Sequence, residues 1–337
     1  MRIALDAMGG DRGSEMAIQG ALAAVCDRKD LHVILVGPRT LLEQQLVEHA
    51  RDAGDALTRI SVHHASEVIT MDDSPVDAVR RKKESTIMVG FDLVKNGEAD
   101  AVVSAGNSGA TMAAAIRKLG RLPGVSRPGI ASFFPTLKKP VMLMDIGANV
   151  DCRPQHLYQF AVMASSCSQL LLNHDSPRIG LLSNGAETGK GNSLVKETYE
   201  LLKNSPLHFI GNVEGRDVYR GDVDVVVCDG FVGNISLKIS EGLAEAAMQM
   251  LKREIMKTWR AKLGYLLIRD ALAGFKKQVD YAEYGGAPLL GIDGTGIICH
   301  GASNAVAIRN AIEVAANMVR HRINEAIVQA LGEHAAA

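Results

Sequence analysis

A chain of 337 residues with 47% hydrophobic and 22% charged side chains can bury a large core, and the composition fits neither disorder nor a fibrous repeat. The formal net charge of −1 leaves no chain-wide electrostatic footprint for nucleic acid. Five scattered cysteines (Cys26, Cys152, Cys167, Cys228 and Cys299) with no C-x-x-C pair argue against a disulfide framework or a structural zinc site, and for a reducing compartment.

The N-terminal MRIALDAMGGD reaches Asp6 before any apolar run of signal-peptide length, and no run of about 18 apolar residues occurs anywhere. A cytoplasmic protein without a membrane-spanning helix is expected. Further along, β-rich runs alternate with helix-length segments: RIALDAM, HVILVG, ISVHH, DAVVSAG, GIASFF, VMLMDIG, RIGLLSNG, LHFIGN and VDVVVCDG. Several are apolar throughout, as strands covered on both faces by helices are. The predicted fold is a layered α/β architecture with a largely parallel sheet. No linker or low-complexity tract divides the chain, so one domain is expected over residues 1–331, with a helical excursion at 243–284 and a C-terminal tail at 332–337.

The ends of the predicted strands are rich in Gly, Asn, Asp and Ser: DAMGGD (6–11), SAGNSGAT (104–111), DIGANVD (145–151), SNGAETGKG (183–191), CDGFVGN (228–234) and HGASN (300–304). Ligands of open parallel sheets bind beyond the carboxyl ends of the strands, so these loops are expected to converge on one rim. Taken singly, each is equally explained by ordinary turn chemistry. Glycines followed at once by a helix start bring backbone N–H groups and a positive dipole end to a ligand, which suits an anion. In SNGAETGKG, Lys190 adds a point charge beside such a start, Asn192 or Ser193 can cap it, and Glu187 can orient Lys190; the alternative for Lys190 is a solvated loop lysine.

Several chemistries lose ground. In SNGAETGKG, Gly185 and Gly189 are too close for a P-loop and Gly191 replaces the metal-binding hydroxyl; no G-x-G-x-x-G follows the first strand, and GIDGTG (291–296) has the wrong spacing. No G-x-S-x-G is present. His63 and His64 are adjacent, while Asp6, Asp11, Asp145 and Asp229 lie far apart; carboxylates at strand ends more often hold loop backbones, so no metal site is expected. His300 is a candidate acid or base, or a hydrogen-bonded structural residue.

Residues 251–277 carry eight basic and two acidic side chains. Leu251, Ile255, Trp259, Leu263, Leu266 and Leu267 recur at helical spacing with Met256 beside them, as in a helix lying in an anionic membrane interface or packing in a dimer. Gly264 and Gly274 permit a bend, so a helical hairpin is expected rather than one rod.

Together, ALDAMGGD, VSAGNSGAT, DIGANVDCRP, LLSNGAETGKGN, VDVVVCDGFVGNISLK, GGAPLLGIDG and HGASN resemble the bacterial phosphate acyltransferases, acyl-ACP:phosphate transacylases of phospholipid synthesis, from Ile3 to about Ile327. The resemblance implies a three-layer α/β/α fold like that of phosphotransacetylases and the isocitrate/isopropylmalate dehydrogenase group. It implies a cofactor-free reaction of inorganic phosphate with a long-chain acyl thioester of acyl carrier protein. It also implies a homodimer associated peripherally with the membrane, handing acyl phosphate to a membrane glycerol-3-phosphate acyltransferase.

Within that scheme Lys190 is expected to bind phosphate and balance an oxyanion, and Asn107, Ser108 and Asn234 to donate to phosphate or carbonyl oxygen. Gly109, Asn184, Gly185, Gly189, Gly233 and Asn304 are expected around the phosphate and acyl group. Glu187, Asp229 and His300 are candidates for orientation or proton transfer, and Asp6, Asp11 and Asp145 for bracing loops. Trp259, Leu263, Leu266, Leu267, Lys257 and Arg260 are expected to meet membrane or carrier protein. The rival functions are an acyl-CoA phosphotransacetylase, an NAD-dependent hydroxyacid dehydrogenase of the same fold group, and a non-catalytic membrane-binding scaffold.

Overall fold

The computed structural model describes residues 1–49, 54–279 and 284–336. All nine runs read as strands are strands: β1 (Arg2–Asp6), β2 (His32–Gly37), β3 (Ile60–His64), β4 (Ala101–Ser104), β5 (Gly129–Phe134), β6 (Val141–Met144), β7 (Ile179–Leu182), β8 (Phe209–Val213) and β9 (Val225–Val227). Two more, β10 (Ala287–Leu290) and β11 (Gly296–Ile298), fall in a glycine-rich segment outside the expected strands. The helices are α1 (Ser14–Asp27), α2 (Arg39–His49), α3 (Pro75–Arg81), α4 (Thr86–Lys95), α5 (Ser108–Lys118) and α6 (Pro154–Leu172) in the first half. They continue with α7 (Ser193–Lys203), α8 (Gly230–Met256), α9 (Trp259–Val279), α10 (Ala305–Arg320) and α11 (Ile323–Ala336).

Among the described residues the strands form one sheet in the order β3-β2-β1-β4-β11-β10-β5-β6-β9-β7-β8. Successive residues of each strand enter opposite layers, as the two-residue period of a strand requires. Ile3 and Leu5 belong to one buried layer with Ile18 of α1, Phe160 of α6 and Ile312 of α10, whereas Ala4 belongs to the other with Met88 and Phe91 of α4. Met142 and Met144 of β6 join the first layer and Leu143 the second. Burial of each large side chain, such as Phe91 or Phe160 at 0% exposure, contributes about 1.5–3 kcal/mol.

The single rim expected for the loops does not form. β10 is antiparallel to both β11 and β5, and β6 is antiparallel to β5, so β6, β9, β7 and β8 run opposite to β1, β4 and β11. Loops after β1, β4 and β11 therefore leave one end of the sheet, and those after β6, β7 and β9 leave the other. β10 reverses twice, leaving β5 parallel to β11, so the change of direction lies in the antiparallel pair β5–β6, two strands that the sequence shows without showing their relative direction.

The helix α8 spans the two ends. Asp229 caps it by accepting from Val232 N at 2.9 Å, and its Ala, Leu, Met, Glu and Lys content favours helix for 27 residues. Only Gly230 and Gly233 are buried. After Met256 the chain turns at Lys257 and Thr258, and α9 packs back on α8. The hairpin thus begins at Gly230 rather than 243, and it breaks at 257–258 rather than at Gly264 or Gly274, both inside α9. Residues 280–283 of the expected excursion lie outside the described residues. At the C-terminus α11 continues to Ala336 through the expected tail, and Ala337 lies outside the described residues. No helix among the described residues is long and apolar enough to cross a membrane.

Candidate active site

A cleft of about 320 Å³ opens over the central reversing strands, between the start of α5 and the side of α8. Ile130 and Ser132 of β5, with Ala287 and Ile298 of β10 and β11, form its floor. Ser108 and His300 stand at one end; Ile146, Gly147 and Asn234 stand at the other; Leu237, Lys238 and Glu241 of α8 join them. Residues 234, 237, 238 and 241 share one helical face by their three- and four-residue spacing, so α8 presents a continuous wall. Of the expected ligand-binding and catalytic residues, Ser108, Asn234 and His300 line this space.

Buried carboxylates hold the two ends. Asp6 accepts from Met8 N at 3.1 Å, Gly9 N at 3.0 Å and Ser104 Oγ at 2.7 Å, and Ser104 Oγ accepts from Gly106 N at 3.0 Å. Burial pushes the Asp6 carboxyl up, against the opposing pull of Ser104. Asp11 is exposed; its backbone N donates to Gly301 O at 2.8 Å, stapling the first loop to HGASN. At the other end Asp145 Oδ1 accepts from Ile130 N, Gly147 N and Ala148 N, and Oδ2 from Asn149 N and Asn149 Nδ2, all within 2.7–3.2 Å. Burial raises this carboxyl too, with the Ala148 N–H pulling the other way. A β-carbon on Gly147, whose φ is 140°, would stand 3.6 Å from the Asn234 side chain.

Other expected residues serve the frame. Asn107 caps α5 through Oδ1, which accepts from Ala110 N at 3.0 Å, while its Nδ2 faces the carbonyls of Thr70, Met71 and Asp73 at 3.2–3.3 Å. The amide expected to donate to a ligand is therefore taken up by the 70–73 loop. Asp229 is occupied as the cap of α8, and Asn304 caps α10 by accepting from Ala307 N at 2.9 Å. A β-carbon on Gly109 would meet Pro75 at 2.8 Å, so this glycine admits α3.

The 183–191 loop is not brought to the cleft. Asn184 Oδ1 accepts from Gly191 N at 2.9 Å, Lys190 N donates to Glu187 O at 3.0 Å, and Asn212 Nδ2 donates to the same carbonyl at 3.0 Å. Glu187, Gly189 and Lys190 are exposed, and the Glu187 and Lys190 side chains lie over Gly185, where a β-carbon would meet each at 2.8 Å. Asn192 caps α7 by accepting from Val195 N at 2.9 Å.

Lys238, in the segment GFVGNISLK and outside the set of expected site residues, lines the cleft. Its Nζ lies 2.9 Å from Glu241 Oε2 and 3.4 Å from His300 Nε2, while His300 Nδ1 accepts from Ala302 N at 3.1 Å. A lysine nine residues after the Asp229 cap shares the face of Asn234, and helical periodicity applied from that cap was the signal that could have found it.

Comparison with solved structures places the fold. It superposes on the EutD phosphotransacetylase of Staphylococcus aureus with a TM-score of 0.61, at 20% identity, covering 95% of this chain and 94% of that one. A phosphotransacetylase from Streptococcus pyogenes gives 0.62 at 18% identity, with the same 95% and 94% coverage. A 4-hydroxythreonine-4-phosphate dehydrogenase from Klebsiella pneumoniae gives 0.53 at 14% identity, covering 95% and 99%. The architecture is that of the phosphotransacetylase and dehydrogenase fold group. In sequence, residues 1–326 match the family described as fatty acid synthesis protein. The phosphate acyltransferase of Geotalea uraniireducens is 55% identical over 334 residues, covering 99% of this chain and 95% of its own. That of Geobacter sulfurreducens is 53% identical over 329 residues, covering 98% and 94%. This chain belongs to the phosphate acyltransferase family and is an acyltransferase of fatty acid and phospholipid synthesis. The dehydrogenase and scaffold alternatives are set aside.

Proposed function

We propose that the cleft joins inorganic phosphate to the acyl group of a long-chain acyl-ACP, giving acyl phosphate and free carrier protein. The observation that carries this reading is the cleft itself: hydrogen-bond donors at Ser108, Asn234, Lys238 and His300 share its lining with the apolar side chains of Ile130, Ile146, Leu237 and Ile298. The donors suit an oxyanion and the apolar lining suits the first methylenes of an acyl chain.

Phosphate near neutral pH is substantially the hydrogen phosphate dianion, a nucleophile that needs alignment more than activation. One of its oxygens bonds to the thioester carbonyl carbon, the carbonyl becomes an oxyanion, and collapse breaks the carbon–sulfur bond. The hydrogen carried by the phosphate ends on the departing thiolate, so atoms and charge balance without a cofactor. Asn234, beside Gly147, is the donor positioned for the transient oxyanion.

The exposed hairpin gives the rest of the reading. Trp259 is 71% exposed and Leu267 83%, with Leu263 and Leu266 beside them and Lys257 and Arg260 flanking, a composition that suits the surface of an anionic membrane. From that cytoplasmic surface acyl phosphate passes to a membrane glycerol-3-phosphate acyltransferase. The exposed run Phe231, Ile235, Ile239 and Leu243 on α8 suits a second copy, completing a homodimer. The test is incubation with phosphate and palmitoyl-ACP or palmitoyl-CoA, trapping acyl phosphate as the hydroxamate. Preference for palmitoyl-ACP is expected; turnover of the coenzyme A ester alone would make the enzyme a phosphotransacetylase.

A further inference from the structure

Between Asp100 and Asp145 the chain holds no aspartate or glutamate and six basic residues: Arg117, Lys118, Arg121, Arg127, Lys138 and Lys139. Folding neutralises two of them, as Lys118 pairs with Asp92 and Lys138 with Asp222. Arg121 and Arg127 are exposed on the loop between α5 and β5, and Arg153 is exposed at the start of α6. Among the described residues none of these three guanidinium groups pairs with a carboxylate, whereas those of Arg28, Arg178 and Arg309 do. The three stand together. Arg121 Nη1 donates to the carbonyl of Ser126, the residue before Arg127, and burial, followed by the positive charges of Arg127 and Arg153, lowers the pKa of His156 on α6. Their loop is fixed from beneath: Leu122 and Val125 are buried, and Gln159 of α6 accepts from Ser126 N and donates to Gly124 O, both at 2.8 Å. Such a platform leaves little to be ordered when its charges meet a partner. The acids bordering it are Asp151, two residues before Arg153, and Asp293, whose backbone N donates to Gly120 O at 3.2 Å.

The cluster borders one end of the cleft. Asn149 Nδ2 donates to Pro128 O at 2.8 Å, next to Arg127, and Asn149 O accepts from Gly230 N at 2.7 Å, so one residue ties the arginine loop to the first residue of α8. One turn further along α8, Asn234 lines the cleft together with Gly147. The hairpin turn at 257–258 lies at the far end of this 27-residue helix, about 40 Å away at 1.5 Å per residue. We infer that Arg121, Arg127 and Arg153 form the docking surface for the acidic face of the carrier protein that brings the acyl group. The inference rests on the reading of the cleft as the site of transfer from acyl-ACP and assigns the side from which the donor arrives. Guanidinium forks suit the carboxylates of such a partner, and Val150, 58% exposed in the adjoining loop, offers an apolar contact beside them. A carrier seated here extends its thioester-bearing arm past Gly147 and Asn234, bringing the carbonyl to the donor assigned to the oxyanion. The Ser108 and His300 end stays open to phosphate, and the hairpin stays free for a bilayer. Insertion into lipid calls for exposed apolar anchors such as those of α9, whereas the arginine loop keeps Leu122 and Val125 inside.

The test measures docking apart from turnover. Fluorescently labelled holo-ACP is titrated with the full chain in the absence of phosphate. The chains compared are wild type, Arg127→Glu with Arg153→Glu, Arg127→Lys with Arg153→Lys, and Lys257→Glu with Arg260→Glu. Reversal at the rim should weaken binding about tenfold or more and raise the KM for palmitoyl-ACP in step. The lysine pair, which keeps the charge, should stay within about threefold of wild type, and reversal on the hairpin within about twofold. Added salt should weaken wild-type binding and change the rim reversal less. The substituted side chains are exposed, so melting temperatures should match wild type and lost binding reports the surface rather than the fold. Affinity of the rim reversal within about twofold of wild type, or a larger loss on the hairpin, overturns the inference. Rim reversal that instead releases phosphatidylglycerol vesicles, or shifts the chain to monomer, with carrier affinity kept, overturns it in favour of the membrane or a second copy. If the carrier docks at the rim while bound palmitoyl-ACP and phosphate yield no acyl phosphate, the docking surface stands and the acyl-transfer reading fails. If palmitoyl-CoA and phosphate yield acyl phosphate while the wild-type chain binds no ACP, the docking surface fails and the transfer chemistry stands.

Discussion

Gly233 presses its backbone against the carbonyl oxygen of Asp145 so closely that a β-carbon would overlap it. The first turn of α8 is thereby seated on the loop that Asp145 organises, and Asn234 comes to rest beside Gly147. Replacing Gly233 by Ala should lift that turn and cost about 1–3 kcal/mol, as overpacking does, with turnover falling alongside the melting temperature. Gly242 on the same helix has nothing within 4 Å of its would-be β-carbon, so Gly242→Ala should be neutral or stabilising by up to about 1 kcal/mol. Urea titration of the two variants checks the contrast; equal destabilisation would mean that helix propensity, not the contact, decides the site.

Asp145 is the other half of that seat. Its carboxylate accepts from five N–H groups, and an amide at this place would aim its own hydrogens at several of them. Asp145→Asn should therefore destabilise by about 1–3 kcal/mol or more and loosen the 146–149 turn, while removing a negative charge from the protein. Amide hydrogen exchange at Gly147 and Ala148 is the readout; unchanged protection would reduce Asp145 to a bystander.

How far the chain could be read ahead of its structure follows from which signals are local. Apolar strands such as VVV at 225–227 and helix starts such as Asn107–Ser108 advertise themselves within a few residues, and they were found. The direction of strands is not local: Gly129–Phe134 and Val141–Met144 are both legible as strands, but their antiparallel pairing, which splits the loops between two ends of the sheet, is not. Lys190 stands out in the sequence because it shares a glycine-rich loop, whereas Lys238 sits in a plain helix. Only the path of α8 across the cleft reveals the second lysine's neighbours.

That difference makes a direct comparison. Lys190 is exposed on the far-end loop, and Lys238 lines the cleft. Lys238→Met should lower kcat/KM for phosphate at least tenfold, and Lys190→Met should have a smaller effect. Steady-state kinetics with phosphate varied at saturating acyl donor decides; a larger loss at Lys190 would move the anion site to the loop after β7.

A pH response is expected at the start of β9. Burial pushes the Asp224 carboxyl up, but the Arg178 guanidinium, at 2.9 Å through both Nε and Nη2, and the Arg178 backbone N–H at 2.8 Å hold it below the ordinary value. A depressed carboxyl stabilises the fold above its unfolded value near about 4, and the contribution disappears as pH falls through the lower folded value. Asp224→Asn should cost about 1–3 kcal/mol at pH 7, with the gap to wild type narrowing below about pH 4. Denaturant titrations across that range measure it; a gap independent of pH would assign the loss to packing.

Trp259, Leu263 and Leu267 follow one another at four-residue intervals on α9, at 71%, 54% and 83% exposure, so they stand along one side of the helix. Lys257 and Arg260 flank the beginning of that side, with the Arg260 guanidinium 5.6 Å from the Trp259 ring. A face of this kind gains by burial in acyl chains and by attraction to anionic headgroups, and the second part weakens as salt shortens the Debye length to about 8 Å or less. Leu263→Glu with Leu267→Glu should abolish co-sedimentation with phosphatidylglycerol vesicles. Formation of acyl phosphate from soluble acyl-ACP should persist, because α8 lines the cleft with residues 234–241 and α9 contributes none of its lining. For wild type, moderate salt should weaken vesicle binding without eliminating it. Vesicle binding untouched by the double variant, together with a shift to monomer in sedimentation equilibrium, would give this face to a second copy of the chain instead of the membrane.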